Sequence, residues 1–460
     1  MGDNEGSVKQ RVPNLYIQIL RWGIGGILVI APFYAALSIW LASGLHHLDF
    51  FKIWKEVALA ILGLILLGFV FTHKQYAKLI WRKKLLLLIV AYTALLLIDG
   101  FYVIFRSEVS EKAVIYGWLI DIRPVAIFAV ALLTFTISRQ TNWPPFPWKK
   151  LLLIPALIAI TFGFLQMTVL PKDILRHIGY GPSTTLSYQT VDNQPNLVRV
   201  QSTLRGPDPF GAYIGIILVA LVALFIEDKA PKKRLAWGAF FLLSLIVLYG
   251  TYSRGAELGL LASLVVLLAI EKRRAFRKHL LVVVGVGVIV LAAGIFAAAR
   301  GNYLAQNLLF HSSNRSTSAQ SSNAQRVQAY KNAVKDIAHH PLGSGVGSAG
   351  PASRRNSKGP VKIAENYFLQ IGQEVGLLGM AMFIAISIMV AFELWQRRQA
   401  TLAKILLSSL AGITIINMVM HGWADDTLAY VWWGLAGLAC APAILKANKS
   451  SNEKTQQKPS

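Results

Sequence analysis

Cysteine is all but missing from this chain of 460 residues: Cys440 stands alone, which excludes a disulfide framework and a thiolate metal site. Acids are scarce too, 22 Asp and Glu against 46 Lys and Arg. Charged residues reach only 15% while hydrophobic ones reach 55%, and a mean hydropathy of +0.51 belongs to a polytopic membrane protein, not a soluble domain. The first apolar run, preceded by Lys9 and Arg11, lacks a small-residue cleavage site and is too long for a signal-peptide core, so it reads as a retained helix. No internal repeat is evident.

What the chain has in abundance is runs long enough to span hydrocarbon, which takes about 20 helical residues. Twelve emerge, near 15–42, 54–73, 85–105, 113–138, 151–170, 208–226, 235–251, 255–270, 280–299, 364–394, 403–420 and 426–445. Backbone exposed to lipid must satisfy its own hydrogen bonds, so an all-α polytopic bundle of about 12 transmembrane helices is expected, residues 1–460 forming a single membrane domain. Lys and Arg crowd the short loops after the second, fourth, sixth, eighth and tenth runs, which predicts that these loops and both termini are cytoplasmic. The net charge of +24 is then mostly a topology signal, and no nucleic-acid partner is expected. On that topology 171–207 and 300–363 are extracytoplasmic loops, the second large and holding an amphipathic helix, and 447–460 is a disordered cytoplasmic tail.

The large loop breaks the charge pattern. Between 301 and 363 it has eight Lys or Arg, among them Arg315, Arg326, Arg354 and Arg355, against one acid, Asp336, which suggests an anionic partner. Residues 311–324 are polar and read as a mobile stretch. After it, Val327, Tyr330, Val334 and Ile337 recur at steps of three and four, the mark of one helical face. Pro341 ends that helix, and Gly343, Gly345 and Gly347 make either a plain turn or a turn that offers N–H groups to an anion.

Several charges lie where an apolar chain should carry none. Arg254, in Tyr252-Ser253-Arg254-Gly255 between two spanning runs, either pairs with Glu257 or serves an external anion. Arg205 precedes the sixth run, its approach stiffened by Pro207 and Pro209. At the start of the tenth run Glu365 lies at the mouth, Asn366, Gln370 and Gln373 share a face, and Glu374 sits roughly 13 Å deeper than Glu365. Intramembrane acids usually face a bundle interior, which marks Glu374 as a functional or packing residue. Asp99, Asp121 and Arg123 reach similar depth and permit an ion triad. His339 and His340 border the helix-ending turn, and Asn417, His421, Asp425 and Asp426 gather near the end of the eleventh run.

The order of four motifs resembles the O-antigen ligase and polysaccharide polymerase superfamily of membrane glycosyltransferases. They are Arg205-Gly206, Ser253-Arg254-Gly255, His340-Pro341 with its glycine-rich turn, and Asn366 to Gly379. The resemblance implies a bacterial plasma-membrane enzyme, its active site outside the cytoplasm, moving a glycan from a polyprenyl diphosphate carrier to an acceptor hydroxyl by an inverting reaction without metal or cofactor. Partners would be the lipid-linked donor, a glycan, lipid or polymer acceptor, and membrane lipids. Arg205 and Arg254 would grip the diphosphate, with Arg326 and His340 further substrate contacts. Asn366, Tyr367 and Gln370 would shape the sugar site. Where O-antigen ligases typically have a histidine before the motif asparagine, this chain has Glu365, a carboxylate able to act as general base. Ligase and polymerase remain alternatives, as does a flippase or transporter of an anionic lipid-linked glycan.

Overall fold

The computed structural model describes residues 14–45, 51–73, 76, 83–141, 143–191, 194, 197–273, 276–278, 281, 282, 285, 289 and 322–442. The ninth apolar run falls almost wholly outside them. So do the expected mobile stretch up to 321, with Arg315, and the C-terminal tail.

The described chain is mainly helical, and its only strands among the described residues form a two-residue pairing. α1 (Asn14–Ile30) and α2 (Tyr34–Leu45) are joined by a tight turn, Ala31–Phe33, set by Pro32. There follow α3 (Trp54–Thr72), α4 (Lys84–Phe105), α5 (Glu111–Asp121), α6 (Arg123–Gln140) and α7 (Trp148–Thr168). Strands β1 (Gln189–Thr190) and β2 (Val198–Arg199) pair antiparallel before α8 (Pro207–Glu227), α9 (Pro231–Gly250) and α10 (Arg254–Ile270). Then come α11 (Ser322–His339), α12 (Tyr367–Gln396) and α13 (Thr401–Val419), and a last stretch made of α14 (Asp426–Leu428), a π-helical turn (Ala429–Trp433) and α15 (Gly434–Cys440).

Among the described residues eight helices are long and apolar enough to cross a membrane, or nine if α5 and α6, bent by 42° at a break beside Pro124, form one span. α10, with 17 residues, and the final stretch also follow expected runs but are shorter. The exterior is apolar, with Phe71, Phe105, Val169 and Leu235 all exposed, as a lipid-facing surface requires. Inside, α8 is buried along nearly its whole length. α10 and α13 touch backbone to backbone: a Cβ on Gly412 would collide with the Gly259 carbonyl, so only small residues permit this approach.

α12 is broken. Val375 and Gly376 leave helical geometry, Gly376 with φ 70°, and the loop after α11 fills the opened turn. Ser344 and Gly345 donate their N–H groups to the carbonyls of Gln373 and Glu374 at 2.8 Å, and Leu377 donates to Pro341 at 2.9 Å. The broken helix thus keeps its backbone paired through the loop. The N–H groups of Val346 and Gly347 go to the carboxylates of Asp99 (2.7 Å) and Glu374 (3.1 Å). The anion that this glycine-rich turn holds is therefore the protein's own.

Two sequence expectations need correction. α11 docks on α12 through Tyr330, Ala333 and Ile337, while Val327 and Val334 are each 55% exposed, so the buried stripe is rotated from the expected one. The triad of Asp99, Asp121 and Arg123 does not form. Asp99 takes the Val346 N–H, Asp121 accepts from Tyr367 and Gln370, and Arg123 turns to Glu56 and Asp426 and forms ion pairs with both.

Candidate functional site

Helix ends at one side of the bundle enclose a polar cavity of about 700 Å³. Its walls carry Lys52, Lys55, Arg123, Arg205, Arg326, Arg354 and Arg355 against Glu56, Asp208, Glu365, Asp425 and Asp426, so cations outnumber acids. A second recess of about 180 Å³ holds Arg199, Tyr252, Ser253 and Arg254. The two share Asp208, Arg326 and Met420 and are therefore neighbours.

Local structure explains how each arginine reaches this place. Arg205 ends an irregular segment whose Ser202 hydroxyl donates to Ala159 at 2.6 Å and whose Thr203 hydroxyl donates to Pro32 at 2.8 Å. Gly206 and Pro207 then start α8 immediately below it. Among the described residues Arg205 makes no hydrogen bond and no ion pair, although Tyr34, Asp425 and Asp426 lie within electrostatic reach and hold its pKa above the usual arginine value despite burial. Arg254 begins α10 after Tyr252, whose φ of 50° is left-handed, a costly conformation for a side chain of that size. The turn is pinned by Val200, which donates to Gly250 at 2.9 Å, and by Arg199, which donates to Thr251 at 2.9 Å and pairs with Asp208 at 2.6 Å. Arg199 thereby offsets an acid that faces both chambers.

Glu365 also has positive φ, 52°, and lines the main cavity. Burial raises its pKa above the ordinary glutamate range, opposed by the Arg326 guanidinium. Next to it, Asn366 caps α12 by accepting from Leu369 at 3.0 Å and donates to Tyr330 at 3.1 Å and to Met418 at 3.3 Å. Asn366 thus ties α11, α12 and α13 together and does not line the cavity.

Of the residues expected from sequence, Arg205, Glu365 and Arg326 meet in the main cavity and Arg254 lies in the adjoining recess. Tyr367 and Gln370 are fully buried and donate to Asp121 at 3.3 and 3.5 Å, away from both chambers. His340 is exposed at the end of α11, near Asp336. Gln373 donates to Asp336 at 2.9 Å, where Lys362 also binds, and those two contacts overcome burial to hold the Asp336 carboxyl below its usual value.

The cavity floor was less legible. Arg123 pairs with Glu56 at 2.9 Å and Asp426 at 2.8 Å, and Lys55 with the same two acids at 3.2 Å, a closed quartet of alternating charges. The Lys55 ammonium also sits 4.6 Å from the Tyr34 ring centroid. The available signal was Lys55 and Glu56 at the head of an otherwise apolar span. On one side of this quartet His421 and Asp425 line the wall. Burial and the nearby Arg205 and Arg354 push His421 down to about 4, and burial lifts Asp425 to about 6.

One family model matches the chain, over residues 238–384, and it is described as O-antigen ligase. This stretch is an O-antigen ligase domain. It runs from α9 to the middle of α12 and includes Arg254, Arg326 and Glu365. Arg205, His421 and Asp425 reach the same cavities from outside the matched stretch. No curated protein matches the chain. Its apolar helices make this a multi-pass membrane protein, and the matched stretch likens it to membrane proteins of the O-antigen ligase type.

Proposed function

We propose that the protein transfers a glycan from a polyprenyl diphosphate carrier to an acceptor hydroxyl, with the cavity as reaction chamber. One observation carries this reading: Arg205, half-buried with no ion pair among the described residues, faces the same chamber as Glu365 and Arg326. A cation so held attracts an anion, and guanidinium groups match phosphate oxygens in paired geometry. With Arg254 behind the shared wall of Asp208, Arg326 and Met420, the diphosphate would span the two recesses.

The reaction follows from those positions. The acceptor oxygen attacks the anomeric carbon of the donor sugar and the carbon–oxygen bond to phosphate breaks. Its electron pair leaves on the diphosphate, where Arg205, Arg254 and Arg326 stabilise the growing charge. Glu365 takes the acceptor proton, and attack opposite the leaving group inverts the anomeric centre. Arginine supplies the charge that a divalent ion supplies in many phosphate-leaving reactions, so transfer is expected to persist in a chelator. Ligase and polymerase chemistry coincide up to the identity of the acceptor, which is whichever hydroxyl reaches Glu365.

The test is detergent-solubilised protein given a labelled lipid-linked oligosaccharide and a pool of acceptors. A transferase releases polyprenyl diphosphate with no sealed membrane present. Absence of release, together with movement of the lipid across reconstituted vesicles, would replace this reading with that of a transporter.

A further inference from the structure

Buried polar atoms are almost always hydrogen-bonded, so those that are not, on residues that line a cavity, ask for a ligand. Among the described residues, leaving aside the ion-paired oxygens of Glu56 and Asp426, two such atoms lie close together in sequence: Nε2 of His421 and Oδ2 of Asp425. The backbone of both residues is held in a turn. Ala424 and Asp425 donate their backbone N–H groups to His421 and Gly422 at 3.1 Å, and Oδ1 of Asp425 caps α14 by accepting from Leu428 at 3.3 Å. Only the second carboxylate oxygen remains, and Asp425 is 1% exposed. The charge quartet does not use it, since Lys55 and Arg123 bind Glu56 and Asp426. Arg205 lines the same cavity and acts electrostatically on both His421 and Asp425, so the two lie within reach of the guanidinium assigned above to the diphosphate.

We propose that His421 and Asp425 form a sugar-recognition subsite, reading hydroxyl or amide N–H groups on the sugar joined directly to the carrier diphosphate. The chemistry selects such a ligand. A carboxylate oxygen accepts only, and an uncharged imidazole accepts at one ring nitrogen and donates at the other, so their complement is a neutral group whose hydroxyls both donate and accept. A phosphate would be repelled by Asp425, whereas the carrier-proximal sugar lies one bond from the phosphate that Arg205 would hold. The inference rests on the diphosphate reading for its placement, but not for its selectivity.

The experiment measures binding to purified full-length protein in detergent by thermal shift. The ligands are undecaprenyl diphosphate bare and undecaprenyl diphosphate bearing one glucose, galactose, N-acetylglucosamine or 6-deoxyhexose. The wild type should bind at least one sugar-bearing carrier at least about tenfold more tightly than the bare carrier, a hydrogen bond to a charged group accounting for that factor or more. Asp425→Asn retains a good helix cap, and His421→Ala removes only the ring. Each should lower the preference for the sugar-bearing over the bare carrier about tenfold.

Three results overturn the subsite: equal wild-type affinity for bare and sugar-bearing carriers, equal loss for both in the variants, or no loss. Tighter binding of both carriers by Asp425→Asn would likewise overturn it, making Asp425 a mere counter-ion of Arg205. Arg205→Ala separates the two readings. It should weaken bare and sugar-bearing carriers alike, and an unaffected bare carrier would sink the diphosphate assignment while sugar discrimination at His421 and Asp425 stood.

Discussion

Glu365 carries the sharpest residue-scale consequences. It lines the chamber from a left-handed backbone position with a pKa raised by burial. As a base it works deprotonated, so kcat/KM should be full above its pKa and fall as pH drops through it, the limb lying above the ordinary glutamate value of about 4.3. Arg326 holds that pKa down, so Arg326→Met should move the acid limb to higher pH, readable in a pH profile of transfer. Glu365→Gln should be inactive and Glu365→His partly active, and a fully active glutamine variant removes Glu365 as base. Arg205→Ala and Arg254→Ala should each lower transfer by about a hundredfold or more while folded protein remains in the membrane, a size seen when one donor to a developing oxyanion is removed. Wild-type rates in either variant would contradict the diphosphate role.

At the scale of elements, the break in α12 and the loop that fills it act as one unit. A Cβ on Gly343, at φ 95°, would collide with the Glu374 carbonyl, and one on Gly376 would collide with that of Pro341. Gly343→Ala should therefore cost more than the roughly 1–3 kcal/mol of left-handed strain alone, seen as a lower unfolding temperature in detergent. The quartet joining α3, α6 and α14 behaves differently, because every member is paired. Arg123→Met leaves Glu56 and Asp426 with Lys55 alone and should destabilise the protein by about 3–5 kcal/mol, measurable as a shortened half-life on heating. Asn366 belongs to this scale as well: its contacts to Tyr330 and Met418 join three helices, so its loss should lower stability before it alters sugar preference.

For the whole molecule, charge divides the two ends. The cavity occupies one, while Glu227 with Lys149 and Glu271 with Lys404 mark the other, where the short-loop cations gather. The positive-inside rule then predicts that the cavity opens away from the cytoplasm. A Cys440→Ala background carries no other cysteine, so single cysteines placed at the exposed positions Ser357 and Gln399 give a direct test. Membrane-impermeant maleimide should label intact cells at 357 and only permeabilised cells at 399, and the reverse pattern inverts the topology.

Hydropathy alone determined the helical class and eight or nine of the spans seen among the described residues, because lipid imposes one rule on backbone and side chain over each 20-residue stretch and that rule is local. Motif order likewise pointed to Arg205 and Arg254, the position before the motif's Asn366 to Glu365, and the charge of the large loop to Arg326. Tertiary structure decided the partners. Tyr367 and Gln370 looked available on a polar face but turn to Asp121 on another helix, and Arg123 leaves its sequence neighbour for Glu56 and Asp426, remote in the chain. It also brought His421 and Asp425 to the cavity wall that Arg205 lines, with polar atoms unspent. Which polar group is satisfied depends on what the packed helices bring within about 3 Å, and no local pattern encodes that distance.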